Sequence, residues 1–233
     1  DAVRFLTAAQ ARYPNDFWLN MELGLSLNKA KKWDEAAAYY RAALAVRPDS
    51  SAVHNNLGLA LEHQKHMDQA IAEYRAAINL DPKNAAPHHN LGEALRLQGK
   101  LDGAIEEFRT AIDLDPKSAV AHNGLGCALY DNKQVKEALK EFRTALDLDP
   151  RCAVAHNSLG GVFFDKKQLD EAMKEFQTAI DLDATSAVYH YGLGNALRGK
   201  KQGDDAIREY RAAIDLDPKL EIAHHNLGCA LLD

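Results

Sequence analysis

Six of the chain's ten histidines, His54, His88, His122, His156, His190 and His224, stand 34 residues apart. Imidazole is a common transition-metal ligand and a general acid–base group, so a column of this kind invites a metal array. The spacing argues against one. A zinc ion draws about four ligand atoms to within about 2.0–2.3 Å, whereas residues 34 apart stand on separate structural units. His63 and His66, and the adjacent pairs His88-His89 and His224-His225, add no chelating pattern, because neighbouring residues of a helix point about 100° apart. The row reads as structural, and no metal is expected.

Other reactive chemistry is sparse. Gly192-Leu193-Gly194 has the start of a nucleotide-binding loop, but it follows no strand pattern and lies within a helical one. The chain has no H-E-x-x-H, G-x-S-x-G or C-x-x-C motif, so it reads as a non-enzyme that needs no cofactor. The net charge of −6 is spread over mixed acids and bases, which disfavours a nucleic-acid partner. No run of 18 apolar residues predicts membrane insertion. Cys127, Cys152 and Cys229 are odd in number and widely spaced, so they predict no disulfide and a reducing, cytoplasmic setting.

The elements that carry these residues are set by a second periodicity. Glycine recurs at 24, 58, 92, 126, 160, 194 and 228, always 34 residues on. Alanine keeps the same step at Ala36 to Ala206 and at Ala43 to Ala213, and aromatics keep it at Tyr40, Tyr74, Phe108, Phe142, Phe176 and Tyr210. Pro48, Pro82, Pro116, Pro150 and Pro218 close most units. A step of this length marks an all-α solenoid of stacked helix pairs rather than one globular core. In residues 51–84, Val53, Leu57, Ala60 and Leu61 share one helical face, and Met67, Ala70, Ile71, Tyr74, Ala77 and Ile78 share another. Asp34, Asp68, Asp102, Asp170 and Asp204 are expected to cap the second helices, and Ser50, Asn84, Ser118 and Ser186 the first ones. Gly58 and Ala70 are expected to let the two helices of a unit approach closely. Each histidine of the row is expected to pack on the preceding second helix and to donate a hydrogen bond. Glutamates 73, 107, 141, 175 and 209 are expected on a solvated outer face.

Two irregularities stand out. Ala184 replaces the closing proline, so the helix before it is expected to run longer or to end less sharply. Gly199 and Gly203 flank the next turn, and residues 184–205 are expected to form a soft joint.

The Leu-Gly pairs at 57-58, 91-92, 125-126, 159-160, 193-194 and 227-228, followed by alanine, aromatic, alanine and proline, resemble the tetratricopeptide repeat (TPR) family. The array is similar to those of O-linked N-acetylglucosamine transferases and TPR-bearing bacterial kinases. The resemblance implies a right-handed superhelix of antiparallel helix pairs. Its units are 17–50, 51–84, 85–118, 119–152, 153–186 and 187–220, with the second helix of a truncated repeat at 1–16 and the first helix of another at 221–233. Both ends then read as mid-array, and the chain as a fragment. The resemblance also implies that first helices line a groove that binds a protein or peptide. Its contact positions map to Asn123, Cys127 and Tyr130, to Asn157, Gly161 and Phe164, and to Tyr191 and Asn195.

Small Cys127 and Gly161 beside Tyr130 and Phe164 would form a shallow pocket with an aromatic wall, and the asparagine amides suit an extended peptide backbone. Asn56, Asn90 and Asn226 match an asparagine ladder that Gly124, Ser158 and Gly192 interrupt. Val120 and Gly124 stand where a carboxylate clamp would place cations, which disfavours that kind of binding. The function expected is therefore a protein–protein interaction scaffold. A regulatory or substrate-presenting arm of a larger enzyme, and a module for end-to-end self-association, are the alternatives.

Overall fold

The computed structural model describes residues 2–232, which are helical throughout, with fourteen helices and no strand among the described residues. The chain divides into two compact units, one up to Pro116 and one from Lys117 on. The first unit holds α1 (Ala2–Arg12), α2 (Phe17–Lys29), α3 (Trp33–Val46), α4 (Ser51–His63), α5 (Met67–Leu80), α6 (Ala85–Leu97) and α7 (Leu101–Leu114). The second holds α8 (Ala119–Asp131), α9 (Val135–Leu148), α10 (Ala153–Asp165), α11 (Leu169–Leu182), α12 (Ala187–Gly199), α13 (Gly203–Leu216) and α14 (Glu221–Ala230). Within each unit every helix packs on the one before it and the one after it, so the architecture is an all-α solenoid of stacked antiparallel pairs. First helices also touch one another in order, α2 to α4 to α6 in one unit and α8 to α10 to α12 to α14 in the other.

What holds a pair together is a ring seated on a glycine. A Cβ built on Gly58 would lie 2.5 Å from the Tyr74 ring, one on Gly126 2.5 Å from Phe142, and one on Gly194 2.7 Å from Tyr210. The close approach expected of Gly58 and Ala70 thus has a more specific cause: the glycine leaves a seat for the aromatic residue sixteen positions later. Tyr74 and Tyr210 are wholly buried, as are Ala70, Ala77, Ala206 and Ala213 beside them. Gly161, next to Gly160, has nothing within 4 Å of the same construction.

The turns explain where helices start and stop. In α4 the His66 amide donates to the Leu61 carbonyl at 2.9 Å and the Lys65 amide to Glu62 at 2.8 Å, while Lys65 takes a left-handed φ of 63°. This is the glycine-type helix stop with a lysine in it, and it recurs at Lys31, Lys133, Lys167 and Lys201. The stop draws the following residue into the second helix. Its N-caps are therefore Lys32, His66, Lys100, Gln168 and Gln202, without side-chain bonds. The aspartates expected as caps sit two residues past the cap, in the first turn, where their negative charge is favourable to the helix dipole. On the first helices, Asn84 caps the Ala86 amide at 3.1 Å and Ser118 the Ala121 amide at 3.3 Å, whereas Ser50 and Ser186 hold the cap position without such a bond.

Helix α11 ends at Leu182, in register with α9 at Leu148, so the missing proline does not lengthen it. The reason is the aspartate before the proline site. Asp183 accepts from the Thr185 amide at 3.0 Å, just as Asp149 accepts from Arg151 at 2.9 Å and Asp217 from Lys219 at 3.0 Å. The Thr185 hydroxyl adds a bond at 2.7 Å, and the two hold the Asp183 carboxyl below its ordinary range. Helix α12 packs on both α11 and α13, and a Cβ on Gly199 would already touch Leu169 at 3.1 Å. Of the features expected to soften residues 184–205, the open space at Gly203 is the one present.

The adjacent glycines of α10 test this account. Gly160→Ala must displace Phe176, 2.9 Å from the added carbon, and should lower stability by about 1–3 kcal/mol. Gly161→Ala meets nothing and should raise it by about 0.5–1 kcal/mol through helix propensity. Thermal and urea unfolding of the two variants would show opposite shifts; equal shifts would overturn the role given to the ring seats.

Candidate functional site

His54 and His156 of the row are bonded through both ring nitrogens, whereas Nε2 of His88 is buried without a hydrogen-bond partner. Nδ1 of His54, His88, His122, His156 and His190 lies 2.6–2.7 Å from a carboxylate oxygen of Glu73, Glu107, Glu141, Glu175 and Glu209 respectively. A carbonyl only accepts, so the contacts of Nε2 with Pro48 (2.9 Å), Pro150 (3.2 Å) and Pro218 (3.0 Å) are donated by His54, His156 and His224. One expectation changes: the glutamates, expected on a solvated face, stand on the second helix that follows each histidine and are only 17–27% exposed. Among the described residues no group of three or more such side chains could hold a metal.

The first-helix face of the second unit carries the residues singled out for binding. On α8, the Tyr130 hydroxyl donates to the Asp165 carboxylate of α10, and burial, followed by that bond and its charge, pushes the phenol up to about 12. Cys127 Sγ lies 3.5 Å from the Ser158 hydroxyl, which donates to the Val154 carbonyl at 2.9 Å. These contacts lace α8 to α10. Asn123 keeps a buried amide oxygen without a hydrogen-bond partner, and Asn157 is half-buried. Val120, Val154, Val188 and Ile222, at one register, are 43–52% exposed and form an apolar border.

One repeat further along, the face opens into a cleft of about 550 Å³ lined by Phe164, Tyr191, Asn195, Arg198, Gly199, Tyr210 and Asn226. Phe164, Tyr191 and Asn195 of the expected set are brought together here, while Cys127 and Tyr130 lie in the α8–α10 contact. The cleft is ordered from within. Asn195 Oδ1 accepts from the Tyr210 hydroxyl at 2.8 Å and from Asn226 Nδ2 at 2.8 Å, and Asn226 Nδ2 also donates to the Tyr191 hydroxyl at 3.2 Å. The Tyr191 and Tyr210 rings are 6.2 Å apart and tilted by 44°. Burial lifts the Tyr210 phenol to about 12, with the charge of Arg198 opposing part of the rise. Lys167 Nζ lies 5.5 Å from the centre of the Phe164 ring.

Tyr210 is the site residue that sequence reading missed. Its ring belongs to the core row, seated on Gly194, yet its hydroxyl reaches the face. The signal was tyrosine in a register where Phe108, Phe142 and Phe176 also occur. In the first unit Tyr74 donates to Glu62 at 2.8 Å; where phenylalanine stands in place of that tyrosine, the Glu62 register holds Arg96, Tyr130 or Phe164. Gly192, which breaks the asparagine ladder, is buried, its missing Cβ 2.6 Å from the Phe176 ring. Of the ladder asparagines, Asn90 donates to Asn55 at 2.9 Å.

Family models of the tetratricopeptide repeat match residues 1–45, 21–87 and 123–187, and, in a second model, 73–106. A TPR repeat model matches 92–133 and 194–233. No match was found among curated proteins. Among solved structures, the chain is similar to one in the APC/C hetero-tetramer Cut9-Hcn1 (21% identity, TM-score 0.84), covering 97% of this chain and 45% of that one. It thus spans less than half the length of that relative. It is also similar to a tetratricopeptide repeat protein from Parabacteroides merdae ATCC 43184 (16% identity, TM-score 0.85, 99% and 91% covered). YrrB, a TPR protein with an unusual peptide-binding site, is 22% identical with a TM-score of 0.50, covering 80% of this chain and 96% of that one.

The His–Glu bridge is open to a direct measurement. A double-mutant cycle of His156→Ala and Glu175→Ala should give a coupling of about 0.5–3 kcal/mol in unfolding, with no change in melting on adding zinc. A coupling near zero would remove the bridge from the forces that hold the pair.

Proposed function

The chain belongs to the tetratricopeptide repeat family, a protein-interaction scaffold, and from that premise we propose that its second unit binds an extended peptide segment of a partner protein across the faces of α10 and α12. The cleft beside Phe164 carries this reading. It joins three aromatic side chains to two amides, and aromatic anchors with adaptable hydrogen-bonding neighbours are what a peptide site requires. Gly161 supports it. A glycine inside a helix costs about 1 kcal/mol relative to alanine, and here no packing demands it, so its absent side chain leaves room beside Phe164 for a ligand. Asn157 would pair with the peptide backbone through a donor and an acceptor group, and Asn195, whose Oδ1 already accepts from Tyr210 and Asn226, through its amide N–H₂. Such a scaffold acts by holding its partner and performs no catalysis.

No described helix is long and apolar enough to cross a membrane. We further propose a reducing, cytoplasmic setting, on the odd number and wide spacing of Cys127, Cys152 and Cys229 in the sequence. We take the repeats to be the six 34-residue units from 17 to 220.

Phage-displayed peptides selected on the wild-type protein test the proposal. Phe164→Ala combined with Asn157→Ala should weaken the selected peptides by at least about tenfold, on the scale of a lost hot spot, while leaving the helical circular-dichroism signal intact. Failure to select any sequence, or unchanged affinity in the double variant, would reject this face.

A further inference from the structure

We infer that the cleft lined by α10, α12, α13 and α14 takes a proline-rich stretch of the bound segment in the polyproline II conformation, an inference that rests on the reading of this face as a peptide site. The hydrogen bonds inside the cleft decide what it offers a ligand. Asn195 Oδ1 receives both the Tyr210 hydroxyl and Asn226 Nδ2, each at 2.8 Å, so its two lone pairs are used and its amide N–H₂ remains. Tyr191 accepts from Asn226 Nδ2 at 3.2 Å, which leaves its own O–H to donate. Against these donors stands one acceptor, Asn226 Oδ1. Arg198 also lines the cleft but is already engaged within the protein, so recognition falls to neutral groups.

An ordinary extended peptide carries one N–H for every carbonyl and would set donors against donors here. Proline has no N–H, and a polyproline II stretch makes no internal hydrogen bonds, so its carbonyls stand outward as acceptors with few donors among them. The single acceptor, Asn226 Oδ1, then suits the N–H of a residue that lies between two prolines. The apolar walls agree with this occupant. Phe164 and Tyr191 are half-buried, each with part of its ring open at the face, and flat aromatic surfaces are what pyrrolidine rings pack on. Such a stretch is also stiff before it binds, so it loses little conformational entropy in a cleft that supplies only a few contacts.

Acetylated and amidated decapeptide pools with a fixed central Pro-x-x-Pro or Ala-x-x-Ala, x being any residue but proline, test this against the full chain by fluorescence anisotropy. The proline pool should bind about tenfold more tightly, and the margin should persist at high salt because no ion pair carries it. Asn195→Asp is the informative variant. It keeps an oxygen for Tyr210 and Asn226 but puts an acceptor where the amide N–H₂ stood, so it should erase the preference for proline with the helical circular-dichroism signal unchanged. Tyr191→Phe, which removes only the other donor, should reduce it. Equal binding of the two pools, sensitive to Phe164→Ala, would leave the peptide face standing and overturn the proline inference. A proline preference that survives Asn195→Asp and Tyr191→Phe would overturn the assignment to this cleft, and binding by neither pool would overturn both readings.

Discussion

The seat of an aromatic ring on a glycine is the contact that everything else in this protein depends on. Carbon atoms 2.5 Å apart are impossible, so the Tyr74 or Phe142 ring can occupy its place only where the facing helix has no side chain at all. That requirement fixes the separation of the two helices, their rotation about their axes and their offset along them. Once these are fixed, every residue of the first helix has an assigned direction. Leucines beside the glycine face the second helix, the valines at the register of Val154 border the first-helix face, and the asparagines and aromatics between them lie on that face. The helices are short, at 13 and 14 residues, and would be marginal alone, so the seat and its neighbours do what intrinsic propensity cannot.

The histidines supply the second tie, and it runs along the stack as well as across it. An imidazole has two nitrogens pointing apart, and His54 uses one on Glu73 and the other on the Pro48 carbonyl that closes the preceding repeat. One side chain thereby joins three consecutive elements. This gives a polar counterpart to the apolar seat and explains why histidine serves where a purely apolar ring would make only one of these contacts.

Much of this was legible in the sequence, because a residue constrained by packing repeats whenever the packing repeats. The glycine, alanine and aromatic rows are such residues, and they revealed the helix pairs and the stacking. The His-to-Glu interval of 19 residues was equally visible, but solvation was assigned to the glutamates because a charged residue on an amphipathic helix usually lies outside. Helix starts were displaced by two residues, from Asp68 to His66 for example, because the stop at Lys65 uses a left-handed lysine, and lysine carries no such signature. The candidate site was the least legible part. Asn195 and Phe164 were found by register, but Tyr210 was hidden among core aromatics, since nothing in a row of rings says which one will send its hydroxyl to the surface.

Tyr210 has a thermodynamic consequence of its own. Its ring is a folding contact on Gly194, and its hydroxyl holds the orientation of the Asn195 amide in the cleft. Closure of the α12–α13 pair and readiness of the cleft are therefore one equilibrium viewed from two ends. A ligand that uses the Asn195 amide must raise the free energy of local opening there, in proportion to RT ln(1 + [L]/Kd), and any fluctuation that lifts α13 must release it. Linkage of this kind makes the stability of a single repeat a determinant of residence time, without any second site or conformational switch.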